Sequence, residues 1–157
     1  MRQPAYLDQS LFAELAQKAT DSPRGRHHHN FHEMHEPCHR LAVGLQPSTY
    51  IPPHRHLSAD KAEMLIVLKG RLGLLIFDDQ GVVIEKRVLQ AGGECLGVDL
   101  TPGTYHGLVV LEQDSVLFEG KAGPYRALGE GEHAHWAPRE GEPEVAGYHA
   151  WMRAQFD

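Results

Sequence analysis

No stretch of this 157-residue chain approaches the run of about 20 apolar residues that a membrane-spanning helix needs. The opening residues, MRQPAYLDQS, also lack the apolar stretch and cleavage signature of a secretory peptide, so a cytoplasmic location is expected. Cysteine is scarce. Only Cys38 and Cys95 occur, far apart and without a C-x-x-C, which excludes a disulfide framework and a zinc ribbon. Both are expected to be reduced and to fill core space. There is no excess of basic charge either, since the formal net charge is −6, so no electrostatic footprint for nucleic acid is present. Nor do strand and helix patterns alternate, as a parallel sheet would require.

Histidine is what the chain has in abundance. It carries twelve, against about three or four for an average chain of this length. Six of them lie between His27 and His39, two form an H-x-H at His54 and His56, and His106 follows a Pro-Gly turn. These groups need not share one purpose.

The length fits one domain. Residues 7–20 have the spacing of an amphipathic helix, with Leu7, Leu11, Phe12, Leu15, Ala16 and Ala19 on one face and Asp8 as N-cap. Pro23 stops it, because the residue before a proline is pushed out of the α region. Residues 22–38 are polar and aperiodic and are expected to form a loop or arm. Short strands follow at 40–46, 50–56, 63–69, 71–77, 82–89, 94–100, 106–112 and 115–121. Turn signals separate them, among them Gly70, Asp78-Asp79-Gln80-Gly81 and Pro102-Gly103. Pro52-Pro53 cannot donate to a ladder, which puts 50–56 at a sheet edge or a barrel mouth. This spacing predicts an all-β sandwich or barrel. Residues 143–155 are expected to close the chain as a short helix with Val145, Tyr148, Trp151 and Met152 on one side. The expected organisation is one structural domain: helix and histidine-rich arm over 1–38, barrel over 39–123, and an extension over 124–157.

The chemistry concentrates in P-P-H54-R-H56 and E63-M-L-I-V-L-K-G70. On a strand, residues two apart face the same side, so His54 and His56 point together and Arg55 points away. Their Cα atoms would lie about 6.6 Å apart, within reach of one ion bound at about 2.1 Å. Glu63 opens an otherwise apolar strand, where an inward carboxylate needs a partner or a metal to offset desolvation. With His106 these residues would form a mixed nitrogen and oxygen set suited to a divalent transition ion, whether Fe, Mn, Zn or Ni. By parity Tyr50 should also face inward, as core or as site wall. The histidine arm is either a solvated segment or, through His32 with Asn30 or His29, a cover over the barrel mouth that touches substrate. Tyr105, beside His106, and Tyr125, in the Gly-Pro-Tyr turn, are further substrate-binding candidates, while Arg71 and Arg87 are expected at the surface.

The order H-x-H, E-x6-G, P-G-x-x-H resembles the two cupin motifs over Ser48–Gly70 and Gly97–His106. The blocks TYIPPHRH, VLKGRLGLLIFDDQG, GGECLGVDLTPGTYH and FEGKAGPY look more closely like the WbuC-type cupin metalloproteins, over roughly residues 5–140. The resemblance implies a cupin (double-stranded β-helix, jelly-roll) barrel with an N-terminal helix. It also implies a homodimer and one divalent metal on His54, His56, Glu63 and His106. Its setting would be surface-polysaccharide (O-antigen) synthesis, with a sugar or nucleotide-sugar substrate and His32 or Tyr50 as base for isomerisation or epimerisation.

Departures from the pattern accompany it. Six residues separate His56 from Glu63, where the general motif has three or four, so Asp60 occupies the usual acid spacing. Glu63 keeps the usual spacing to Gly70 and is preferred, with Asp60 as the alternative ligand. Three other functions compete: a non-catalytic metal-dependent binder of small ligands, an iron-dependent oxygenase (dioxygenase), and a metal-free epimerase resembling the dTDP-4-dehydrorhamnose 3,5-epimerases. The H-x-H with Glu63 argues against the last.

Overall fold

The computed structural model describes residues 3–157. Helix α1, Gln9–Asp21, starts where Asp8 accepts the Leu11 N–H at 2.9 Å, satisfying a donor that the first helical turn leaves free. Leu7 lies outside the helix and is exposed, whereas Phe12, Leu15 and Ala19 are buried. Eight strands follow: β1 Arg26–Asn30, β2 Cys38–Leu45, β3 Glu63–Lys69, β4 Arg71–Phe77, β5 Val83–Gln90, β6 Gly97–Leu100, β7 Tyr105–Val110 and β8 Ser115–Ala122. Helix α2, Val145–Ala154, ends the chain.

The strands form two antiparallel sheets, β1-β2-β8-β3-β6 and β5-β4-β7, the two-layer jelly roll expected. Leu41, Val43 and Leu45 of β2 meet Leu65 and Val67 of β3, Leu72 and Leu74 of β4, and Leu108 and Val110 of β7 in the core between the sheets. Outside the larger sheet, α1 packs Phe12 and Leu15 on Ala42 and Val116. Gly44 permits that approach, since a Cβ there would lie 2.5 Å from the Leu15 carbonyl oxygen. Outside the smaller sheet, Leu75, Phe77, Tyr105 and Val109 are covered by Tyr50, Ala134 and Met152. Burying each large side chain in these layers stabilises the fold by about 1.5–3 kcal/mol.

Three expectations need correction. Part of the predicted arm is strand: Arg26–Asn30 pairs with Leu41–Leu45, and its register puts Arg26 and His28 on the inward side with Leu45 and Val43. Periodicity missed it because its inward residues are polar and face a cavity, so no apolar alternation marks the strand. Conversely, 50–56 is not a strand. It forms single bridges at His54, to His106 on one side and His133 on the other, because two prolines interrupt any longer ladder. Cys38 is exposed rather than in the core, and Cys95 is half-buried. No helix among the described residues is long and apolar enough to cross a membrane.

Candidate metal centre

His54 and His106 face each other across a hydrogen-bonded backbone pair. The His54 N–H donates to the His106 carbonyl at 3.1 Å, and the His106 N–H returns the bond at 3.0 Å. That pairing sets the two rings side by side, with centroids 4.6 Å apart. Each ring is also fixed from behind. His54 Nδ1 lies 3.0 Å from the Pro52 carbonyl and His106 Nδ1 lies 3.0 Å from the Thr104 carbonyl. A carbonyl only accepts, so Nδ1 carries the proton in both rings and Nε2 of the neutral ring presents a lone pair. Metal-binding histidines are commonly oriented in this way.

The carboxylate arrives from the opposite sheet. Strand register places His39, Lys121, Glu63 and Leu100 on one rung across β2, β8, β3 and β6. Glu63 is only 4% exposed. Its Oε1 accepts from Lys121 Nζ at 3.3 Å, while Oε2 lies 3.3 Å from His106 Nε2 and 3.4 Å from His56 Nε2. Neither Glu63 Oε2 nor His56 Nε2 has a hydrogen-bond partner, although both atoms are buried. Ligand atoms of His54, Glu63 and His106 all lie within 4.8 Å of one another. Buried polar atoms that converge at 3.3–3.4 Å without a well-formed hydrogen bond between them are costly. A divalent cation bound by nitrogen and oxygen would satisfy them, so the donor set fits one.

Charge around the centre is arranged to match. Burial alone would raise the Glu63 carboxyl, but the His106 and His56 rings and the Lys121 ammonium hold it well below the usual carboxylate range. Burial, with His106 alongside, pushes His54 down to about 3, so its ring is neutral and able to ligate at pH 7. Behind Glu63, Lys121 pairs with Glu119. Burial disfavours the Lys121 ammonium, yet Glu119 and Glu63 outweigh it and raise its pKa, while burial pushes the Glu119 carboxyl up.

Asp60 stands apart from this cluster. It is exposed and bonded to Arg126, because the segment between His56 and β3 carries it onto the surface. Arg55 does point away: its guanidinium lies over the Tyr105 ring at 4.1 Å and bonds Asp79. The other sequence candidates are dispersed. Tyr50 is turned into the outer core and donates to the Pro138 carbonyl at 2.7 Å, since strand parity does not carry through Pro52-Pro53. Tyr105 lies in that same layer and donates to the Gly131 carbonyl at 3.2 Å. His32 is buried, its Nδ1 lies 2.8 Å from the Arg40 backbone nitrogen and 2.9 Å from the Arg40 carbonyl oxygen, and its ring stacks on His39 with centroids 3.9 Å apart. Asn30 is exposed, and His29 packs edge-on against Phe31.

Of the four substrate-binding candidates, Tyr125 alone stands beside the centre, in a cavity of about 190 Å³ that His39, His54 and His56 also line. A second cavity, of about 270 Å³, runs inward from His54, Glu63 and His106 past Lys121 and Glu119 to His28, Arg26 and Arg24. Sequence reasoning missed Lys121, Glu119, His28 and His39. The signal for the first two was legible: in β8, Leu117, Glu119 and Lys121 share parity, so an inward apolar position predicts two inward charges.

Residues 7–89 match a family described as a domain of unknown function, DUF6016. That match spans more than half of the chain. The chain belongs to the DUF6016 family. The matched residues include His54, His56 and Glu63 and end before His106. No curated protein matches the sequence.

Among solved structures, KdgF from Halomonas sp. is 23% identical, with 68% of this DUF6016 chain and 84% of that chain covered and a TM-score of 0.51. A conserved protein of unknown function from Streptococcus pyogenes, SPY1581, is 12% identical, with 80% and 93% covered and a TM-score of 0.53. A cupin-2 domain containing protein from Shewanella frigidimarina is 21% identical, with 62% and 80% covered and a TM-score of 0.47. At such identities the likeness is one of fold. The DUF6016 chain has the cupin fold, two antiparallel sheets closed into a barrel between an N-terminal and a C-terminal helix.

Proposed function

We propose that this chain is a metal-dependent cupin enzyme acting on a sugar or nucleotide-sugar intermediate of surface-polysaccharide synthesis, by isomerisation or epimerisation. One observation carries the metal part: Glu63 Oε2 and His56 Nε2, both buried without hydrogen-bond partners, lie 3.4 Å apart, and the same Oε2 is 3.3 Å from His106 Nε2. His54, His56, Glu63 and His106 would hold the ion, which when bound would polarise a carbonyl or hydroxyl of the substrate. Cavities on either side of the histidines favour a site open to ligand over a closed structural one. The polysaccharide setting rests on the likeness of the motif blocks to the WbuC-type cupins.

The chain's own acid and base candidates also change. Tyr50 and His32 are engaged elsewhere, so Lys121 and Glu119 become the ionisable groups that face the centre. Lys121 keeps Glu63 Oε1 occupied and leaves Oε2 for the ion, and Glu119 shares the inner cavity, where it could exchange a proton with a bound ligand.

Elemental analysis of untagged protein tests the reading. The expected result is about one equivalent of divalent metal in the wild type and in Asp60→Asn, with loss in Glu63→Gln. A wild type purified without metal, and unable to take it up, would refute the proposal. Turnover of nucleotide-sugars by metal-loaded but not stripped protein would then identify the reaction.

A further inference from the structure

The mouth of the barrel has an unusual charge balance for a protein whose formal net charge is −6. Its 190 Å³ cavity is bounded by His54 and His56 of the metal centre and by His39, Lys61, Lys121 and Arg126, with no carboxylate among its lining residues. Lys121 is balanced from behind by Glu63 and Glu119, and Arg126 pairs at the surface with Asp60. Lys61 is different. It is only 8% exposed, and its Nζ bonds the carbonyls of Ala122 and Pro124 without an acidic partner among the described residues. Two carbonyl oxygens satisfy part of its hydrogen-bonding capacity, and Asp60 and Glu132 act on the ammonium only from a distance, with no carboxylate in contact. Burying an unpaired ammonium is costly.

We infer that this mouth is an oxyanion subsite: the ligand of the metal centre is a small molecule carrying a carboxylate or phosphate, which lies between Lys61 and Arg126. The inference rests on the reading of the histidine–glutamate cluster as the functional site. It adds which chemical class of ligand that site takes. In this arrangement a neutral oxygen of the ligand faces His54 and His56 while its anion meets Lys61 and Arg126. Tyr125, also at the mouth, has its backbone held by the Met34 carbonyl, so its place on the rim is fixed by the main chain. The cavity is smaller than the roughly 300–1,000 Å³ of drug-sized ligand sites. A sugar acid or sugar phosphate suits it better than a whole nucleotide-sugar.

The test compares charged and neutral probes on untagged full-length protein, both metal-loaded and metal-stripped, at constant ionic strength. Lactate, inorganic phosphate and lactamide are titrated while amide chemical shifts around residues 54–63 and 120–128 are followed. Lactate or phosphate is expected to bind at least about tenfold tighter than lactamide in both forms, as charge-assisted hydrogen bonds require. The tighter of the two identifies the oxyanion as carboxylate or phosphate. Arg126→Glu should remove most of that preference without changing metal content, and Lys61→Met should abolish it. Because Lys61 also anchors the turn at Ala122–Pro124, Lys61→Arg serves as the rescue and Arg126→Glu as the variant outside the fold's interior. Equal binding of lactamide and lactate, or a preference untouched by Arg126→Glu, would overturn the inference. Anion preference in a protein that binds no metal would leave this subsite standing and remove only the metal reading.

Discussion

Two groups of histidines in this chain look alike in the sequence and are put to different uses by the fold. In the first, His54 and His106 direct Nδ1–H onto local carbonyls, which turns both Nε2 lone pairs toward Glu63. In the second, around β1, His32 is spent on packing: its Nδ1 is held against the Arg40 backbone and its buried ring stacks on His39. The rest of that segment is divided by the strand itself. Register sets His28 on the cavity side with Val43, while His27 and His29 fall on the helix side with Gly44 and Ala42. A count of histidines therefore says little. What each ring faces determines whether a histidine can ligate: Glu63 for His54 and His106, the Arg40 backbone and His39 for His32.

This contrast can be broken most forcefully by removing ligands. His54→Ala combined with His106→Ala should cost the centre its metal, since four-ligand zinc sites are worth about 10–16 kcal/mol and half of the imidazole–carboxylate set is then gone. Equilibrium dialysis against a competing chelator reads the change. The matching His27→Ala, His29→Ala variant of the β1 segment should keep full occupancy.

A smaller effect is expected behind the centre. Lys121→Met leaves Glu63 and Glu119 without their counter-charge, and because Lys121 is about a quarter exposed, the lower end of the range for broken buried pairs applies, about 3 kcal/mol. Urea unfolding with and without metal checks this. Metal should recover part of the loss in Lys121→Met, because the ion supplies positive charge at Glu63.

The pH dependence of stability sharpens the contrast from the other side. Burial, and then Arg26, pushes His28 down to about 4. Above the unfolded value near 6.5 both states are neutral and nothing is lost. Between about 6.5 and 4 the unfolded chain takes up the proton and the folded one does not, so stability falls as pH falls, and it levels off below. Because the His28 side chain is exposed on its solvent side, screening reduces this to roughly 1–2 kcal/mol. His28→Gln should flatten that portion of the curve, measured by chemical denaturation from pH 7 to pH 4. His32→Ala should have the least effect, about 1 kcal/mol from the lost contact with the Arg40 backbone, with metal content unchanged. A loss of metal in that variant would erase the distinction between the two groups.

What the chain order already contained was considerable. Alternation and turn residues placed β3 and β4 at their observed limits, Asp8 at the N-cap of α1, and His54, His56, Glu63 and His106 together as candidates. Those rest on local signals, a period, a cap and a motif spacing, and for the four ligands on the resemblance to the cupin motifs. The folded barrel alone decided the rest. Glu63 rather than Asp60 faces the histidines because β3 is paired with β8 and β6, while the loop before it carries Asp60 to Arg126. Tyr50 left the site because paired prolines abolished the parity on which its placement depended. His28 joined it, beside the Lys121 and Glu119 whose inward parity in β8 was already legible, because strands distant in sequence line one cavity. A polar strand such as β1 has no signature of its own, since its inward face answers to a cavity that exists only after the two sheets have closed.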